Sequence, residues 1–137
     1  MASLSANQLT ALGDHFLLFA QSVGNYRYVN SGKLTTAQNL NIKEAHLKLL
    51  DYADSFYTAS ATVIVNDVEG SLDTINTITK QINDTYQFLT KIQKALDVAA
   101  AGIALAEALF SQNPQAVADA VDGLVNVWKG ATSKKAT

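Results

Sequence analysis

Cysteine is absent from these 137 residues, which excludes disulfides, thiolate nucleophiles and Cys-based zinc centres. Proline occurs once and glycine seven times, so breakers are few and long uninterrupted helices are expected. Arginine also occurs once, as Arg27. Arg supplies bidentate phosphate and guanine contacts, so its scarcity argues against nucleic-acid recognition. The formal net charge of −2 provides no long-range field for phosphates or an anionic bilayer. Nucleophile elbows, Walker loops and dinucleotide glycine motifs do not occur. The first residues lack a basic stretch followed by an apolar run. The expectation is a soluble protein with no cleavable secretory signal, either cytoplasmic or exported without one.

What the chain does have is apolar periodicity. Hydrophobic residues make up 48% of it, enough for one real core, and no linker or charge block divides the sequence. A single domain over 1–137 is expected, with a flexible tail over about 131–137. From Ile75 to Phe110 a row alternates steps of three and four: Ile75, Ile78, Ile82, Thr85, Leu89, Ile92, Leu96, Ala99, Ile103, Ala106 and Phe110. Such spacing lies on one side of an α-helix and favours left-handed packing. The row predicts one long helix from Ser71 to Phe110, with Leu96 in its core face and a packing row roughly 50 Å long at 1.5 Å per residue.

Three further helices flank it. Ser5 and Gln8 have capping-box spacing, followed by Leu9, Leu12, Phe16, Phe19, Val23 and Tyr26 on one face. Gly24 is a candidate early end, Asn30-Ser31-Gly32 a stronger stop, and Tyr26–Val29 a candidate extended piece. Thr35 and Gln38 repeat the capping spacing, and Ile42, Ala45, Leu49, Tyr52, Phe56, Ala59 and Val63 predict a helix to about Val65. Gly70-Ser71 then reads as a turn and N-cap. Asn113-Pro114 opens a last helix carrying Val117, Val121, Leu124 and Trp128, with Gly130 as its cap.

The segment from Ala95 to Phe110 is apolar nearly all round, and such a helix must be covered or lie in lipid. A turn at Ser111-Gln112 would bring the last helix back over it. The fold expected is all-α: an antiparallel up-down bundle of four helices, the third longest. Small residues Ala99 to Gly102 would allow close helix approach there.

Candidate chemistry is sparse. His15, His46 and a carboxylate such as Asp51 could form a mononuclear metal site if the first two helices pair, yet the spacing of helical di-iron sites is missing. Ordinary packing explains the histidines, so no metal or cofactor is expected. Asp97 and Glu107 are candidate buried carboxylates because they interrupt the most apolar stretch, and Lys94 is placed to pair with Asp97. An enzyme would require one of them in a pocket beside a histidine.

The functional expectation is a non-enzymatic interaction or assembly protein acting through apolar helix surfaces, with a protein partner or a second copy of itself. Leu105, Leu109, Phe110, Val121, Leu124 and Trp128 are the candidate interaction or membrane surface. The alternative is a membrane-active component of the α-helical pore-forming toxin type, using the apolar hairpin 95–128. It is disfavoured because sixteen residues fall short of the roughly 20 that span a bilayer.

Overall fold

The computed structural model describes residues 5–59, 69–111 and 113–132. They form α1 (Ala6–Val29), α2 (Thr36–Thr58), α3 (Glu69–Thr85), α4 (Ile92–Phe110) and α5 (Pro114–Thr132), with a 3₁₀ turn at Tyr86–Phe88 between α3 and α4. No strand occurs among the described residues. The described residues are therefore all-helical, but with five α-helices rather than four.

The helix starts are built as their sequences dictate. Ser5 N–H donates to Gln8 Oε1 at 2.7 Å and Gln8 N–H donates to Ser5 Oγ at 3.1 Å. Thr35 and Gln38 make the same reciprocal pair at 2.9 and 3.1 Å. Each box satisfies two backbone N–H groups that the first turn leaves free. Asn113 Oδ1 accepts from the N–H groups of Gln115 and Ala116, starting α5.

Several ends differ from expectation. Gly24 does not stop α1, and Tyr26–Val29 is helical. Helix α2 ends at Thr58 with Ala59 extended, short of Val65; residues 60–65 lie outside the described residues. Gly70 and Ser71 sit inside α3 rather than in a turn. Gly130 lies inside α5, which runs through Ala131 to Thr132. The expected tail therefore begins as helix, and 133–137 lie outside the described residues.

The largest correction is the long helix. It is two helices, and among the described residues the longest is α1 with 24 residues, against 17 in α3. After the 3₁₀ turn, Leu89 and Lys91 are extended and α4 begins afresh. Neither Gly nor Pro marks the break. Its cause is Tyr86, which is fully buried and meets the Tyr26 ring edge-on at 5.3 Å. The Tyr86 hydroxyl donates to the Ala95 carbonyl at 2.6 Å. In a continuous helix those residues would stand about 13.5 Å apart along the axis. The bond forms only because the chain folds back.

That fold-back changes which residues face inward. The buried positions of α4 are Ala95, Val98, Ala99, Gly102, Leu105, Ala106, Ala108 and Leu109. Ile92, Leu96, Ile103 and Phe110, expected in the core row, are only partly buried, and Thr85 is exposed. The inner face of α4 has rotated by one residue relative to the row extrapolated from α3. As a result α4 is not covered all round: Ala100 and Ala104 are exposed on its outer side.

The five helices close into a ring in which α1 packs on α2, α2 on α4, α4 on α5, α5 on α3 and α3 on α1. Helices α1 and α2 are antiparallel, as the Arg27–Asn39 and Asp14–Tyr57 hydrogen bonds require. Helix α3 runs alongside α1 in the same direction, with Ser22 Oγ donating to Asn83 Oδ1 at 3.1 Å. Phe16, Phe56, Phe110 and Tyr52 stack in succession at 5.1, 4.6 and 6.1 Å, joining α1, α2 and α4.

Three helix glycines are seats for rings. A Cβ on Gly13 would lie 2.6 Å from the Tyr57 ring, on Gly24 2.8 Å from His46, and on Gly102 2.5 Å from Phe19. A glycine inside a helix costs about 1 kcal/mol relative to alanine. Complete burial of a ring the size of Phe19 returns roughly 1.5–3 kcal/mol, so at Gly102 the exchange is favourable.

Gly102→Ala is expected to lower stability by about 1–3 kcal/mol, because Phe19 is fully buried and has nowhere to retreat. Gly123→Ala should raise it by roughly 0.5–1 kcal/mol, since nothing stands within 4 Å of an added Cβ there. Urea unfolding of both variants checks the pair; shifts of the same sign would contradict the packing described.

Candidate functional site

The antiparallel pairing of α1 and α2 places the end of one helix beside the start of the other. Between them opens a cleft of about 570 Å³ near the connecting turn, lined by Gln21, Gly24, Asn25, Arg27, Tyr28, Ser31, Asn39 and His46. The Arg27 Nε–H donates to Asn39 Oδ1 across the helices at 2.7 Å, which fixes the plane of the guanidinium. His46 lies flat on Gly24, and its Nδ1 is 2.7 Å from the Ala20 carbonyl. A carbonyl only accepts, so Nδ1 carries a proton and the neutral ring keeps its lone pair on Nε2. Among the described residues no carboxylate lines this cleft.

Toward the same end of the bundle lie the most exposed large apolar groups of the described residues. Tyr28 is 83% exposed, Val29 65%, Phe88 71% and Leu40 53%. They come from the end of α1, the 3₁₀ turn packed on α1, and the start of α2. The sequence offered a faint sign of this: Tyr28 and Val29 fall off the apolar row of α1, just before the turn. Phe88 could not be placed without the break at Tyr86.

The six residues expected as an open interaction or membrane surface lie elsewhere. Leu105, Leu109, Val121, Leu124 and Trp128 are buried, and Phe110 is partly buried against Phe56 and Tyr52. They line the core rather than face outward. Among the described residues no helix is long and apolar enough to cross a membrane.

Neither expected carboxylate is buried. Glu107 is exposed and Asp97 half-buried, since neither belongs to the inward-facing positions of α4. The Asp97 carboxylate accepts from Gln93 Nε2 at 2.9 Å, and no ion pair with Lys94 forms. It lines a shallow cleft of about 310 Å³ with Glu44 and Lys48, without a histidine. Glu107 meets Tyr52, whose phenol is held above its ordinary pKa by burial, by the Glu107 charge and by a hydrogen bond between them.

The two histidines face different clefts. His15 points between α1 and α3, beside Leu72, Asp73 and Asn76. His46 belongs to the α1–α2 cleft. Among the described residues no group of three or more His, Asp or Glu is placed to hold a metal ion. The metal site conceived from His15, His46 and Asp51 is therefore not assembled.

Asp14 governs two titrations. Its carboxylate accepts from the Tyr57 hydroxyl at 2.5 Å, and mainly this bond pushes the Tyr57 pKa up to about 12. His15 is lowered by burial, with Asp14 opposing the shift. The raised Tyr57 value favours folding below pH 10, and that contribution fades as pH climbs through about 12. The lowered His15 value acts oppositely: its contribution is present above pH 6.5 and is lost as pH falls through the folded value. Asp14→Asn should therefore move both pKa values down together, because both protons lose a nearby negative charge. NMR titration of the Tyr57 ring and His15 imidazole checks this, and a rise in either would contradict it.

No known family model matches the chain, and neither a curated protein nor a solved structure matches it significantly.

Proposed function

We propose that this chain is a non-enzymatic interaction protein, an assembly or adaptor subunit that binds another protein or a second copy of itself through the hairpin end of its bundle. The observation that carries this reading is the joint exposure of Tyr28, Val29 and Phe88 at one end of a fold that otherwise puts most of its large apolar side chains inside. Tyr, Phe and Arg are enriched where proteins meet, and Arg27 adjoins Tyr28. Three such groups supply at most roughly 5–9 kcal/mol on burial. Association costs about 4–15 kcal/mol, so polar contacts around the cleft must add to them.

This places the contact surface at a different part of the bundle from the α4–α5 seam. The apolar excess of α4 and α5 is spent inside the core, where it stabilises the fold.

A photo-crosslinking residue at Phe88, introduced in the cells that naturally make the protein, tests the reading. It should give a discrete adduct of defined mass, while the same residue at Gln115, exposed at the start of α5, should give none. Equal labelling from the two positions, or none from position 88, would remove the support for this surface.

A further inference from the structure

We propose that the α1–α2 cleft is a binding site for a small oxyanion, a carboxylate or a phosphate. This goes beyond the contact reading and does not depend on it. A guanidinium has five N–H donors. Among the described residues Arg27 uses one, the Nε–H given to Asn39. That bond orients the group and leaves its terminal nitrogens at the cleft wall without a partner. Arg27 is half-buried, and a partly desolvated charge without a counter-charge is costly. A carboxylate or phosphate can meet the free edge with two parallel, charge-assisted hydrogen bonds.

The surroundings fit the same ligand class. Among the described residues no acidic side chain lines the cleft to compete for Arg27. Asn25 and Ser31 add neutral hydrogen-bonding groups at the wall. His46, seated on Gly24 and held by the Ala20 carbonyl, offers Nε2 as a second fixed polar atom. It suits a hydroxyl or protonated oxygen on the same small molecule. At about 570 Å³ the space is of the size small-molecule sites have.

The test is an NMR titration at fixed pH and ionic strength, with sodium phosphate in one arm and sodium succinate in the other, chloride balancing each. The readouts are the Arg27 Nε–Hε signal and the His46 ring signals. A saturable shift in the phosphate arm alone identifies a phosphate site; one in the succinate arm alone identifies a carboxylate site; saturation in both supports a general oxyanion site. Binding should weaken by about tenfold or more in Arg27→Gln, which removes the charged fork. Asn25→Asp should weaken it similarly, because a near-isosteric carboxylate now competes for Arg27. Melting and backbone spectra of both variants confirm the fold. No saturation in either arm, or saturation that survives Arg27→Gln in the folded variant, overturns the proposal.

Discussion

Tyr86 turns what would have been one rod into two helices. Its ring sits against Tyr26 in the core, and its hydroxyl donates to the Ala95 carbonyl. Burying an aromatic ring and pairing its hydroxyl outweighs the few helical hydrogen bonds that Tyr86 to Lys91 forgo. From that exchange follow the number of helices, the ring closure and the face that α4 turns inward. The Tyr26 hydroxyl is buried opposite without a partner among the described residues. The cost of that orphaned group is borne by the packing of the two rings. Burial raises the pKa of both phenols, so they remain neutral across the physiological range.

The second constraint is steric. Phe19 reaches across the bundle onto Gly102, while His46 and Tyr57 lie on Gly24 and Gly13. Each pair is a flat ring against bare helix backbone, which sets the spacing and register of α1 against α2 and α4. The same contacts create the candidate site. His46 is held in its cleft only because Gly24 has no side chain, and Arg27 reaches Asn39 only in the register those contacts impose. The core packing and the candidate site thus share residues along α1, whereas α4 and α5 contribute mainly core.

Local chemistry was legible in the sequence wherever it is local. The capping boxes at Ser5 and Thr35, the Asn113 cap and the inner rows of α1, α2 and α5 depend on residues within one or two turns of each other. Side-chain spacing is enough to place them. The α3–α4 break depends on Tyr86 finding Tyr26 sixty residues earlier, and no local signal encodes that partnership. Because a helix turns about 100° per residue, the one-residue rotation it imposes was enough to leave Ile92, Leu96, Ile103 and Phe110 only partly buried.

The sequence by itself determined the all-helical class, the starts of α1, α2 and α5 and the absence of thiol chemistry, because caps, periodicity and composition act through nearest neighbours along the chain. Only the tertiary structure decided how many helices there are, which face of α4 is buried, and that Arg27, Asn39 and His46 share one cleft while His15 faces another. Those outcomes turn on rings and hydroxyls meeting partners far away in sequence. A linear pattern records a residue's phase on its own helix; it does not record what will stand opposite.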